Sequence, residues 1–446
     1  MHSCACALPG NFPNPFGRSA MTVRVTTLKG TDAGAYYVDS LPNYYLDADE
    51  PRGIWYGKAA AVLGLAGVVG DDEFLNLMAG ACPHDASLRL GRAYGENSVR
   101  GFDITASVPK SMSVLFVVGS PQVRADVLAS HDTGVQAIIE WVQNTAHTRF
   151  RIAGEVATVD VEGIVAATFR QHTSRALDPQ LHTHIVVPNR VLSPDGRWLA
   201  LDARTLKLDQ RTASAIYHAT MRTELTARLG VEFEPVVNGI ADIARFPAGV
   251  LAEFSTRTAA IDKRLDAKID RFVDTFDRDP TPRERWQLER EAVTDSRPAK
   301  AKDVNAAKLH THWTQQLQEL GIEPGALERF TIGRIAGRSL TDRDWEIASN
   351  SAMKELEESQ SSWRPAELSR EIARQLPTYT IQNTAGFVDS LETWTQRTIA
   401  EQCVDISRPI PHGDSVRRDG RPYSEPAIDR ALTTTFLLDQ EDELAA

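Results

Sequence analysis

Short runs of alternating apolar, β-branched and polar residues mark the first half of the chain: VRVTTL (Val23 to Leu28), FDITASV (Phe102 to Val108), MSVLFVV (Met112 to Val118), EVATVDV (Glu155 to Val161), IVAATF (Ile164 to Phe169) and HIVVPNRVL (His184 to Leu192). Alternation with period two is the pattern of a strand with one buried face, so all six read as strands. Between the third and fourth, Val135, Ile138, Ile139 and Val142 follow the i, i+3, i+4, i+7 spacing of a helix that buries one stripe. Strands clustered with a few helices predict an α+β domain: an antiparallel, palm-like sheet with flanking helices. Beyond about Arg257 the texture changes to charged, helix-favouring sequence such as WEIASNSAMKELEESQSSWRPAELSREIARQL, punctuated by proline. The organisation expected is a doubtful extension over residues 1–20, a domain over 21–260, a helical accessory region over 261–406, and a linker-like tail over 407–446. MTVRVTTLKG, beginning at Met21, reads like a fresh start of the chain.

The length of 446 residues leaves ample sequence for a buried core. Four scattered cysteines, of which only Cys4 and Cys6 are close, argue against a disulfide framework and for a reducing compartment, so a cytoplasmic location is expected. No apolar run is long enough to span a bilayer. The net charge of −11 has the wrong sign for coating nucleic acid by bulk electrostatics, so any such site must be local. Between Arg170 and Arg211 the balance reverses: Arg170, Arg175, Arg190, Arg197, Arg204, Lys207 and Arg211 face only Asp178, Asp195, Asp202 and Asp209. No GxxxxGK[ST] phosphate loop occurs, which excludes a P-loop motor in these residues.

The tripeptide His-Thr-His occurs twice, at 182–184 and 310–312. Residues i and i+2 share a face on a strand and diverge on a helix. His182 and His184 run into the β-branched IVV, so both imidazoles can reach one ion. His310 and His312 lie among Leu309, Trp313, Leu317 and Leu320, whose spacing is helical, and are expected to serve surface and packing. A catalytic cation needs a third ligand and an open position. Two neighbours offer it: His172, through a strand, a turn over SRALDPQ and a returning strand, or Gln171 beside it. Imidazole binds transition metals better than a neutral amide, which favours His172.

The run TFRQHTSRALDPQLHTHIVVPNRV resembles the metal motif of the MobF-type conjugative relaxases, the TrwC/TraI family of the HUH endonucleases. AYYVDSLPNYYLD, WYGKAAAVLGL and GFDITASVPKSMSVL resemble the same family in the same order, over about Met21 to Arg257. The family places its first metal histidine two residues after a Phe, where this chain has Gln171. A strand bulge could re-aim His172 at the ion, or Gln171 could supply a weaker oxygen ligand. The resemblance implies a divalent cation (Mg, Mn or another transition metal) held by His172, His182 and His184, and Asp103 orienting a metal histidine. It makes Tyr36 the first nucleophile and Tyr44 the agent of a second strand transfer, with Tyr37 and Tyr45 as lesser candidates. Arg175 and Arg190 are the expected DNA contacts.

The reaction so implied is transesterification on single-stranded DNA at an origin of transfer next to a hairpin, yielding a 5′-phosphotyrosine and a free 3′-hydroxyl, with relaxosome and transfer-machinery proteins as partners. Arg430 to Ala446 resembles the beginning of the helicase that commonly follows, so a separate helicase is a further expected partner. Three other functions fit parts of this pattern. A rolling-circle replication initiator shares the chemistry; a degenerate origin-binding protein would tolerate Gln171; a small-molecule metal hydrolase built on His-x-His leaves the tyrosines without a role.

Overall fold

A computed structural model describes residues 23–39, 53–152, 154–237, 239–296, 306–378, 380–381, 386–409 and 415–445. The doubtful first twenty residues, with Cys4 and Cys6, and the pair Tyr44/Tyr45 lie outside them. The central sheet has five strands, β1 (Val23–Lys29), β2 (Ile54–Tyr56), β3 (Val99–Ser107), β4 (Ala166–Thr173) and β5 (Pro179–Pro188), in the order β1-β3-β5-β4-β2. Every neighbouring pair is antiparallel. The α+β reading holds, with an antiparallel sheet followed by a largely helical C-terminal region.

One predicted strand is a helix. Met112 to Val118 lies within Lys110–Val118, a helix whose residues from Ser111 onward are all buried. A helix buried on every side shows no polar face, so its sequence is a continuous apolar run that periodicity cannot separate from a strand. It packs on β5, and the long helix Pro121–Thr145 lies along Gln210–Leu229 behind the sheet. These form the larger core, which includes Ile104, Ile185, Val187, Ile138 and Tyr217. A smaller cluster covers part of the other face with Tyr37, Trp55, Phe74, Phe169 and Val186. Among the described residues the larger core covers one side of the sheet and this smaller cluster part of the other, and the site lies beside the smaller one.

The region beyond 257 does not stand apart from the sheet domain. Leu309, Trp313, Trp345, Trp363, Leu368 and Leu391 belong to the same continuous core. Trp313, on the helix Ala306–Glu319, is 1% exposed and donates its indole N–H to the carbonyl of Leu177 at 3.0 Å. It thereby braces the turn leading into β5. His310 and His312 on the same helix are exposed, as their helical spacing predicts. The helices Thr256–Phe276 and Pro282–Asp295 bury a small cluster of their own, Ile261, Leu265 and Ala292.

The expected linker-like tail is also docked. Tyr423 accepts from the Thr158 amide at 2.7 Å, the Arg418 amide donates to Asp160 at 2.7 Å, and Leu432–Thr433 pairs with Val404–Asp405. Its sequence looks linker-like because its order comes from polar contacts: the buried Arg421 pairs with the buried Glu425 rather than with an apolar core. Among the described residues Cys82 and Cys403 are free thiols, and no helix is long and apolar enough to cross a membrane.

Buried neutral histidines give the fold an acid limit. Burial, with the Arg222 charge second, lowers the fully buried His218 from the usual 6.5 to about 3; burial, with Arg170 second, also lowers His131. The unfolded chain takes up these protons below pH about 6.5, whereas folded His218 refuses its proton down to about 3. This stabilisation is complete above about 6.5 and is lost as pH falls through that window. Thermal melts at pH 7, 5.5 and 4 are expected to show a steadily falling midpoint, and a flat profile would contradict the assignment.

Candidate functional site

The His-Thr-His of β5 sits in the middle of the sheet, and strand alternation sends its members to opposite sides. Thr183 points into the helix layer, where its hydroxyl bonds His131 Nε2 at 2.7 Å while His131 Nδ1 bonds the Tyr217 hydroxyl at 2.7 Å. His182 and His184 therefore share the opposite, partly open face, their ring centroids 5.3 Å apart. The middle threonine locks the strand from behind while the flanking histidines serve the site.

Each imidazole is fixed through Nδ1. His184 Nδ1 lies 2.9 and 3.0 Å from the two carboxylate oxygens of Asp103 on β3. His182 Nδ1 lies 2.9 Å from the carbonyl of Gln180. These acceptors require N–H at Nδ1, leaving both Nε2 lone pairs for an electrophile. Burial, and then the neighbouring His184, lowers the His182 imidazole to about 3, so it stays neutral and metal-competent at ordinary pH.

The register decides the third position. His182 pairs with Gln171 and His184 with Phe169, so Gln171 shares the histidine face. His172 has the opposite parity: it is 2% exposed and packs against Phe116 of the helix Lys110–Val118, ring centroids 5.0 Å apart. The expectation that His172 joins His182 and His184 is therefore not met. An irregularity does exist, but between Pro179 and His182 on β5, where it leaves the face of His172 unchanged. Gln171 is 5% exposed, and its amide Nε2 is buried without a hydrogen-bond partner. Among the described residues no group of three or more His, Cys, Asp and Glu is placed to hold a metal ion, consistent with this mixed set of two imidazoles and one amide.

The tyrosines come from the short helix Ala35–Asp39. Tyr36 is half-buried, its ring 6.3 Å from that of His184. Tyr37 is 4% exposed, stacked on Phe169 at 5.3 Å, and hydrogen-bonded to Asp103. Burial, then the Asp103 charge and that bond, pushes its phenol well above the usual range. Burial and that hydrogen bond thus hold the Tyr37 hydroxyl at Asp103. Sequence reading ranked it only as a lesser nucleophile; its signal as a partner of Asp103 is its place one residue beyond Tyr36, turned toward the apolar cluster.

The two expected DNA contacts differ. Arg175 is half-buried in the turn between β4 and β5 and forms no salt bridge among the described residues. Arg190 is 4% exposed, stacks on Tyr94 at 3.8 Å, and donates to the carbonyls of Leu90, Arg92 and Asn189. Its guanidinium is consumed by the fold, which removes it from the candidate phosphate contacts.

Comparison with known proteins gives this geometry a family. A family model described as TrwC relaxase matches residues 30–320. The Multifunctional conjugation protein TraI of Escherichia coli is 31% identical over 307 residues, 65% of this chain and 16% of that protein; its counterpart in strain K12 is 29% identical over 325 residues, 69% and 17%. The chain thus spans about a sixth of the length of these relatives. Conjugative relaxase TrwC in complex with OriT DNA, metal-free, is 29% identical with a TM-score of 0.57, covering 68% of this chain and 99% of that one. A copper-bound TrwC–OriT complex matches at 0.58 with the same identity and coverage.

Sheet, histidine pair and tyrosine helix together define a relaxase domain of the HUH type. The chain belongs to the TrwC relaxase family.

Proposed function

We propose that this protein is a conjugative relaxase that nicks and rejoins single-stranded DNA at a transfer origin through a tyrosyl intermediate on Tyr36. The observation that carries this reading is the placement of the half-buried Tyr36 beside His184, on the sheet face that also holds His182 and Gln171. The TrwC structures hold OriT DNA, and one holds a 27-mer comprising the recognition hairpin and the cleavage site. By that likeness the substrate here is a single strand next to a hairpin, and relaxosome proteins and a separate helicase are its partners.

In the reaction the Tyr36 phenolic oxygen attacks the scissile phosphorus and the bond to the 3′ oxygen breaks. The phenolic proton is lost and the 3′ oxygen gains one, leaving a free 3′-hydroxyl and a 5′-phosphotyrosine. The linkage energy is retained in the new diester, so the reverse attack by a 3′-hydroxyl reseals the strand without a nucleotide cofactor. Asp103 holds the His184 tautomer, and Tyr37 holds Asp103. Arg175, half-buried in the turn between β4 and β5, supplies a phosphate contact by resemblance. Tyr44, by resemblance, carries a second transfer.

His182 Nε2, His184 Nε2 and the Gln171 amide are the residues that would hold a divalent ion; the unpartnered buried Gln171 amide fits that role once its oxygen faces the imidazoles. Such an ion supplies charge stabilisation on the non-bridging phosphate oxygens and orientation for in-line attack.

The test is incubation with Mg²⁺ or Mn²⁺ and single-stranded DNA spanning the transfer origin of the protein's own element, read on denaturing gels. A covalent protein–DNA adduct that EDTA suppresses is expected; tight binding without cleavage would favour the origin-binding alternative. In a separate calorimetric titration, Gln171→His is expected to tighten Zn²⁺ or Ni²⁺ binding by about tenfold or more, since imidazole outranks an amide for these ions. Unchanged affinity would remove Gln171 from the ligand set.

A further inference from the structure

On β1, Val23 and Val25 face the helix layer, so Arg24 and Thr26 have the parity of the reaction face. The register aligns Arg24 with Thr105 of β3, Thr105 with His184 of β5, and His184 with Phe169 of β4, one continuous row across four strands. Arg24 is exposed and forms no salt bridge or side-chain hydrogen bond among the described residues. Two strand spacings place its Cα about 10 Å from that of His184, a gap an extended arginine largely crosses. Thr26, Thr105 and Ser107, three short hydroxyl side chains, have the same parity between the two. Asp103, paired with Thr26 across the strands, is already engaged by His184 and Tyr37. A guanidinium left without an anion, at the edge of a polar trough leading to the histidines, is a phosphate site in an otherwise acidic chain.

We propose that Arg24 binds a backbone phosphate of the single strand flanking the scissile one, and so fixes the strand's path from His184 across β3 to the sheet edge. This rests on the reading of the face as the DNA-cleaving site. Arg24 acts on substrate binding and registration, not on bond making.

The experiment uses the full chain and single-stranded DNA spanning the transfer origin, with a neutral methylphosphonate placed at one flanking position at a time. Arg24→Ala is expected to weaken binding about five- to tenfold, the size of one exposed charge-assisted contact. It is also expected to lower the slope of log K against log salt by about 0.7, with KM raised more than kcat is lowered. At one flanking position the methylphosphonate should weaken the wild type but leave Arg24→Ala unaffected, a coupling that a merely structural role would not give. Arg24→Lys should restore the salt slope but only part of the affinity. If the wild type cleaves and Arg24→Ala binds and cleaves equally well, or its loss adds to every methylphosphonate, the inference is overturned. If the wild type neither cleaves nor forms an adduct, the function proposed above fails first.

Discussion

Tyr36→Phe is expected to abolish the covalent protein–DNA adduct of the first cleavage, lowering strand cleavage by about a thousandfold or more, because the variant loses the phenolic oxygen that attacks the scissile phosphorus. The ring itself makes edge contacts with Tyr37 and His184, at 5.0 and 6.3 Å between centroids, and phenylalanine preserves both. Binding to the single strand should therefore change little, and the effect should appear almost wholly in kcat. Tyr37→Phe is the control. It removes a donor from the buried Asp103 carboxylate while leaving the nucleophile in place, so cleavage should fall only about ten- to a hundredfold, as for a residue acting through the ligand shell. Equal loss in both variants, or an adduct surviving in Tyr36→Phe, would assign the nucleophile elsewhere.

His184→Ala carries the second large effect. It deletes one of two imidazoles that can present Nε2 to an ion, and it also leaves the Asp103 carboxylate, 7% exposed, without the partner 2.9 Å away. Metal affinity and cleavage are expected to fall together, each by about a hundredfold or more. The fold should survive, because the apolar residues along β5 that face the helices, Ile185 and Val187, are untouched. Isothermal titration with Mn²⁺ beside the cleavage assay checks this. His172→Ala is the informative contrast: behind the sheet, against Phe116, it should alter stability and leave the ion's affinity close to wild type. If His172→Ala removes metal binding while His184→Ala does not, the assignment of faces is wrong.

How much of this was legible in the sequence depends on which residues one asks about. Period-two alternation placed β1, β3, β4 and β5, and the helical stripe of Val135, Ile138, Ile139 and Val142 lies in Pro121–Thr145. The same reasoning correctly separated the two His-Thr-His tripeptides, one on a strand and one on an exposed helical surface. It failed for Met112 to Val118, where total burial erases the pattern that distinguishes helix from strand. It also favoured His172 over Gln171 by ligand chemistry, whereas parity decides: one residue along a strand reverses its face, and the pairing of His182 with Gln171 depends on the geometry of the intervening turn. Arg190 was misjudged for a related reason. Charge composition registers an arginine but not its neighbours, and Tyr94 with three backbone carbonyls closes around this one. Docking of the tail likewise rests on contacts between residues far apart in the chain, such as Arg418 with Asp160.

The most direct measurement is to trap the adduct on single-stranded origin DNA with Mn²⁺ present, digest it, and locate the nucleotide-bearing residue by mass spectrometry. The account predicts a 5′-phosphotyrosine on Tyr36; attachment to Tyr37, or the absence of any tyrosyl-linked nucleotide from DNA that has been cleaved, would contradict it.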